Sequence, residues 1–358
     1  MKILFLTKYP IAGASSRYRV YQYVPFLKSK GHLCDVSSFY SDKDFASIYL
    51  KGRLFFKLWM VFKGLLRRLK DAFKLVKYDV VYMQREALPF GPLWFEWLCK
   101  QLDKKIIFDY DDALFIFKPS SSTPMSDKFK NPQRIPKIFS KVDCVFAGND
   151  YLAEQARQFC TCAKTMVVAE DLSKITPRAE HLASDKLVIG WLGSPSTEKY
   201  LEFIREPLEK LAGSFENLEL LIIGGGNFKS EIINVRQEQW SLAAENDLLK
   251  EFSVGIMPLP NEEWSKGKSG GKARTYMASG IPAVCTNIGF NKELIVHGET
   301  GFLVDSAQQW FESLHLLLDK PNLRQKTSEN ALQIVQKKYS LKVLAPVFED
   351  YIVAVLND

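Results

Sequence analysis

Several clusters in this sequence have the residue types to grip an anion or move a proton. The first is a loop of small residues, Ala12-Gly13-Ala14-Ser15-Ser16, which follows an opening apolar run and leads into Arg17 and Arg19. Small side chains let backbone N–H groups approach a phosphate at the start of a helix, and two guanidinium groups beside them suit phosphate or carboxylate recognition. No GxGxxG is present, so the loop is not a dinucleotide fingerprint, and a tight turn needing small residues explains it equally well. A second loop of this kind is Gly193-Ser194-Pro195-Ser196-Thr197-Glu198-Lys199. Its hydroxyls and Lys199 could hold a diphosphate, which is compatible with Ser196 or Thr197 capping the helix that follows. Gly224 and Gly225, in the run Gly224-Gly225-Gly226 after LELLII, leave room for a nucleotide beside the backbone or simply make a turn.

Two further clusters carry charge. Lys266-Gly267-Lys268-Ser269-Gly270-Gly271-Lys272 reads as a glycine-rich approach to a helix, where Lys268 and Lys272 could grip an anion; Lys266 reads equally as solvated. Asp109-Tyr110-Asp111-Asp112 ends the apolar run KKIIF, so Asp109 and Asp111 should project toward a ligand, unless these acids cap a helix or pair with Arg17, Arg19 or Arg85. Histidine and cysteine offer little. His32, His181, His297 and His315 are isolated, which leaves little material for a His-based metal centre or a Ser-His triad. Cys34, Cys99, Cys144, Cys160, Cys162 and Cys285 lack the second pair a zinc site needs and are expected to be reduced, mostly buried thiols.

Strands and helices must position these clusters. KILFLT, DVVYMQ, KKIIF, DCVFA and TMVVA are short apolar runs separated by helical patterns, which argues for a parallel sheet covered on both faces. The pattern restarts at KLVIGWLGS after a polar stretch and continues through LELLIIGGG, IINVR, SVGIMPL and IPAVCTN. We therefore expect an α/β chain of two Rossmann-like domains, residues 1–183 and 184–340, facing each other across a cleft with ligands at the carboxyl ends of the strands. The last segment, 341–358, is expected to be a helix packing back on the first domain.

With 358 residues, 47% of them apolar and 25% charged, the chain is long enough for two cores. Its net charge of +7 is concentrated: residues 51–77 hold nine Lys or Arg against the single acid Asp71. Such concentration argues against a nucleic-acid track, which spreads basic residues along a surface. Within this segment apolar residues at 54, 58, 61, 65, 69, 72 and 76 step by three or four, with Lys63, Arg67, Lys70, Lys74 and Lys77 on the opposite face. Phe55, Phe56, Trp59, Phe62 and Phe73 widen the apolar side beyond one core contact, so residues 53–77 are expected to rest on an anionic membrane surface; a core helix with a solvated basic face is the rival. No run of about 18 apolar residues exists, and Lys8 and Pro10 interrupt the N-terminal run before it could serve as a signal-peptide core. A cytoplasmic protein, peripheral on the inner membrane face, is expected.

Three linked motifs then carry a resemblance. Val254-Gly255-Ile256-Met257-Pro258-Leu259, the run from Lys272 to Val284 containing Met277-Ala278-Ser279-Gly280, and Gly298-Glu299-Thr300-Gly301-Phe302-Leu303-Val304 resemble, in order and spacing, the retaining family-4 glycosyltransferases of the GT-B fold. The resemblance implies a hexosyltransferase-like enzyme that needs no metal or other cofactor. It would move a sugar from a nucleotide-sugar donor, with retention, to a membrane-associated glycan or lipid-linked acceptor in polysaccharide biosynthesis. It implies donor contacts at Gly13, Ser15, Ser16, Gly193, Ser194, Ser196, Lys199, Gly224, Gly225, Lys268, Lys272 and Thr275. Arg17, Arg19 and Arg85 would face acceptor or phosphate, and Asp111, with Asp109 as rival, would stand near the position of a family histidine. The Asp-Tyr-Asp run also resembles the metal motif of the other glycosyltransferase fold. One departure is plain: the two glutamates the family usually carries fall in register at Gly267 and Thr275. That keeps open an epimerase or hydrolase on the same fold, or a catalytically silent sugar-nucleotide-binding subunit.

Overall fold

The computed structural model describes residues 1–47, 54–118, 131–178, 180–181 and 186–357. They form two compact units, Met1–Ala169 with Leu341–Asp358, and Glu170–Ser340. The chain thus passes into the second unit at Glu170, before the polar stretch at which the βα pattern restarts.

The N-terminal unit holds a parallel sheet in the order β2-β1-β3-β4-β5-β6, built from Lys2–Thr7 (β1), Leu33–Ser38 (β2), Val80–Gln84 (β3), Lys105–Tyr110 (β4), Cys144–Ala147 (β5) and Ala163–Thr165 (β6). All five residues of β3 are buried, as a sheet covered on both faces requires. The helix Leu341–Asn357 returns to this unit, where Phe348 stacks on Tyr23 at 4.2 Å between ring centroids and stands edge-on to Tyr82. Cys144 and Cys162 form a disulfide across neighbouring strands, their Cα atoms 4.6 Å apart, which corrects the expectation of six reduced thiols. The cause is register: β5 and β6 pair with Val145 opposite Ala163, so the preceding residues come side by side.

The helix Leu54–Lys74 turns inward a different face from the one that the rival core reading of its apolar spacing requires. Met60, Gly64, Arg68, Asp71 and Ala72 are buried, while Leu58, Phe62, Leu69, Phe73 and, beyond the helix end, Val76 are exposed, Phe73 by 78%. Arg68 decides this orientation. Its guanidinium donates to the carbonyls of Thr7, Ser37 and Ala87 at 2.8–3.1 Å, and Gly64 lets the helix close on Phe39, whose ring lies 2.4 Å from where a Cβ would stand. Lys63 pairs with the buried Asp44, and Arg67 donates to the carbonyl of Phe39 at 2.6 Å. No described helix is long and apolar enough to cross a membrane.

The C-terminal unit has a second parallel sheet, β12-β11-β10-β7-β8-β9, from Leu187–Leu192 (β7), Leu218–Ile223 (β8), Asn234–Glu238 (β9), Val254–Met257 (β10), Ala283–Thr286 (β11) and Gly301–Val304 (β12). Ile189, Trp191, Leu220, Ile222, Val254, Ile256 and Val284 fill its core. The helix Gly271–Ala278 follows the carboxyl end of β10, and Gly255 admits its Tyr276 ring against that strand.

Candidate functional site

In the N-terminal unit, the turn after β1 is closed by Gly13, where a Cβ would lie 2.4 Å from that of Tyr9. The hydroxyls of the turn face inward. Ser16 is fully buried, donating to Gln84 Oε1 at 2.9 Å and accepting from the Tyr9 backbone N–H at 3.2 Å. Ser15 accepts from Gln84 Nε2 at 2.9 Å and donates to Asp111 Oδ1 at 3.4 Å. Gln84, last residue of β3, therefore organises the loop; a polar residue ending a buried apolar strand was its signal in the sequence. Arg17 folds over the loop's own carbonyls, Nη1 reaching Ala12 O at 3.3 Å.

The acids after β4 divide by burial. Asp109 has no exposed surface and receives two bonds from Arg19 Nε, at 3.0 and 3.1 Å, besides a third from Nη2. Arg19, also buried, donates in addition to the carbonyl of Met166. Arg19 and Asp109 thus spend their charges on each other inside the core, which removes both from the groups able to meet a ligand. Asp111 and Asp112 are partly exposed and share Arg85, whose Nη2 lies 2.5 Å from Asp112 and 3.7 Å from Asp111. Arg85 is held at a left-handed φ of 64° by its N–H bond to Asp109 O at 2.8 Å. Burial, and next the charge of Asp112, raise the Asp111 carboxyl above its usual value against the pull of Arg85.

In the C-terminal unit the glycine loops and the lysine loop come together. A Cβ on Gly193 would lie 2.8 Å from Cε of Lys272 and 2.5 Å from the ring of Trp191, and Lys272 Nζ stands 5.3 Å from that ring's centroid. Gly224, at φ 83°, backs onto the same place, since its Cβ would meet the Gly193 carbonyl at 2.3 Å. Lys272 belongs to the first turn of the Gly271–Ala278 helix, which has no side-chain cap at Gly270 and no acid in that turn. A cation, a helix start without a side-chain cap and two glycine turns thus converge on one spot, an arrangement with the chemistry to hold an anion. Lys268 packs over Trp264, 3.9 Å from the ring centroid, and Lys199 lies 5.5 Å from that of Tyr200.

Other members of these loops have structural work. Ser194, not Ser196 or Thr197, is the N-cap of Pro195–Glu198; its hydroxyl shares a hydrogen bond with that of Ser196, 2.9 Å away and exposed. Glu198, passed over in the sequence, accepts the N–H groups of Gly226, Asn227 and Phe228 at 2.8–2.9 Å. These donors, together with the Asn227 amide, overcome the effect of burial and hold the Glu198 carboxyl below its usual value. Glu198 also occupies the space beside Gly225, where a Cβ would come 2.7 Å from its carboxyl carbon. The space beside Gly225 is thus filled by a carboxylate, which leaves Gly224 as the glycine of this turn that lies against Gly193. Thr275 is buried, and its hydroxyl donates to Glu170 Oε1 at 3.2 Å.

Residues 186–320 match the family model of the group 1 glycosyl transferases. The capsular polysaccharide biosynthesis glycosyltransferase CapM of Staphylococcus aureus is 22% identical over 187 residues, 49% of this chain and 48% of that protein, so the match spans about half the length of the relative. Among solved structures, HepE of Anabaena in complex with UDP-glucose aligns over 99% of this chain and 100% of its own, with 14% identity and a TM-score of 0.69. Sucrose-phosphate synthase of Thermosynechococcus elongatus aligns over 99% of both chains with the same identity and TM-score. Two six-stranded parallel sheets in that likeness make this chain a GT-B fold, whose residues 186–320 are similar to group 1 glycosyl transferases.

Proposed function

We propose that this protein is a metal-independent glycosyltransferase that moves a hexose from a nucleotide-sugar donor, with retention, onto a glycan or lipid-linked acceptor at the cytoplasmic face of a membrane. The observation that carries the reading is the packing of Lys272 on Gly193 at an uncapped helix start. The donor diphosphate sits there, and the helix dipole and the ammonium stabilise the charge that develops on it as the sugar leaves. The bond from C1 to the diphosphate oxygen breaks while the acceptor oxygen bonds to C1 on the same face, and the acceptor proton passes to the departing phosphate. Asp111, with its raised carboxyl beside Ser15 and Arg85, orients the acceptor hydroxyl. What supports metal independence is where the acids spend their charge, Asp109 on Arg19 and Asp112 on Arg85.

The Leu54–Lys74 helix is what supports an acceptor at a membrane. Its outward side carries Phe55, Leu58, Phe62, Leu69 and Phe73, flanked by the exposed Lys70, Lys74 and, just past the helix, Lys77. Apolar residues facing out with cations along one edge suit an anionic bilayer surface.

Incubation with a panel of nucleotide sugars and a membrane extract, read by mass spectrometry with and without EDTA, tests the whole proposal. Transfer of a hexose that survives EDTA is expected. Free sugar alone would mark a hydrolase, an isomerised donor an epimerase, and no turnover despite donor binding a silent binding subunit.

A further inference from the structure

Glu170, the first residue of the C-terminal unit, is buried and stands far along the chain from any motif that suggested chemistry, yet it ends a chain of contacts that leads to the lysine loop. Its Oε1 accepts from Arg274 Nε at 3.2 Å and from the Thr275 hydroxyl at 3.2 Å. Arg274, equally buried, donates through Nη1 to the carbonyl of Ser269 at 2.9 Å. That carbonyl belongs to the peptide just before Gly270, whose left-handed φ of 63° opens the helix bearing Lys272. Glu170 is anchored in turn: its backbone N–H donates to Tyr339 O at 2.8 Å, and it bridges Ser340.

We propose that Glu170 is a positioning residue for donor binding: its carboxylate holds Arg274, Arg274 holds the Ser269 carbonyl, and the loop from Lys268 to Lys272 thereby keeps the shape that presents Lys272 to a diphosphate. This rests on the reading of Gly193 and Lys272 as the diphosphate site. The charged groups that act on the Glu170 carboxyl are Arg274 from the Gly271–Ala278 helix and Glu245 from the helix Glu245–Lys250. Burial pushes the Glu170 carboxyl up to about 7, although Arg274 and Thr275 pull the other way. Protonation at lower pH removes the charge that grips Arg274, so the loop loosens as pH falls through 7. The effect on folding runs oppositely. A carboxyl raised in the folded state favours folding most below its unfolded value near 4.5, and that contribution is lost as pH rises through about 7. Glu170 is therefore ionised for the loop at the pH where its ionisation helps the fold least.

The test compares wild type, Glu170→Gln and Lys272→Ala, all as the full chain. Hydrogen exchange at pH 8 should be about tenfold faster in Glu170→Gln for amides 268–275 and unchanged in β7 and β11; equal exchange across the lysine loop overturns the proposal. UDP-glucose, whose diphosphate diester keeps its charge between pH 6 and 8, serves as the binding probe. Wild-type affinity should rise up to about tenfold over that range as the loop-competent fraction grows, whereas Glu170→Gln should stay flat. Parallel pH profiles for the two proteins would overturn the inference. Wild-type affinity in Lys272→Ala would instead overturn the donor-site reading and leave the exchange result to decide whether Glu170 holds the loop.

Discussion

The turns after β1 and β7 look alike in sequence, each an apolar strand followed by glycine and serines before a helix, yet the protein uses them differently. In the turn at Gly13 the serines face inward onto Gln84, and the nearby Arg19 is consumed by Asp109. In the turn at Gly193 the hydroxyls of Ser194 and Ser196 stay at the surface, and Lys272 arrives from a helix about eighty residues further along the chain to lie against the glycine. A small-residue loop, then, offers space for an anion but not charge. Of the two turns, the one at Gly193 also has a cation packed against its glycine.

The sharpest way to break this contrast is Arg19→Met. If Arg19 is structural, the change leaves Asp109 buried and unpaired and should cost about 3–5 kcal/mol of stability in the N-terminal unit. Chemical denaturation would show it; an unchanged unfolding midpoint with lost acceptor use would return Arg19 to a ligand role.

Next comes the outer helix of the same unit. Reversing Lys70, Lys74 and Lys77 to Glu removes three surface cations, each contributing about 1 kcal/mol on an anionic bilayer, and should cut liposome binding by roughly a hundredfold or more without changing the melting temperature. Lys63 and Arg67 are poorer targets, since both serve Asp44. Undiminished sedimentation with acidic vesicles would sink the membrane proposal.

In the C-terminal unit, Lys272→Ala should remove a charge-assisted contact of about 1.5–3 kcal/mol, weakening donor binding roughly ten- to hundredfold with the fold intact. Calorimetry reads this directly. The smallest effect separates the two turns themselves. Ser16→Ala strips a buried partner from Gln84 and should cost about 1 kcal/mol, whereas Ser196→Ala, at the surface, should change stability by less than about 0.5 kcal/mol. Equal values from thermal melts would erase the distinction between an inward and an outward turn.

The glycines at 13, 193 and 224 were legible in the chain because close approach leaves a compositional mark. Glu198 and Glu170 left none, since a single polar residue beside apolar ones looks the same whether it caps a loop or faces water, and Gln84 showed only as the polar end of an apolar strand. The Leu54–Lys74 helix shows the limit most clearly. Its periodicity marked a helix but left Leu58, Leu69 and Val76 to face either a membrane or the core; the structure has them exposed, with Arg68 on the inner face satisfying three carbonyls at once.

By itself the sequence determined what depends on near neighbours: alternating strands and helices, hence two parallel sheets, and the glycine turns that end their strands. Tertiary structure alone decided the partners. The Cys144–Cys162 bond, the Arg19–Asp109 pair and the Lys272–Gly193 contact each join segments whose distance depends on sheet order and register. Strand and helix signals repeat every few residues and can be read locally. The spending of a charge cannot, because in a protein interior it is settled by whichever opposite group the fold brings within a few ångströms.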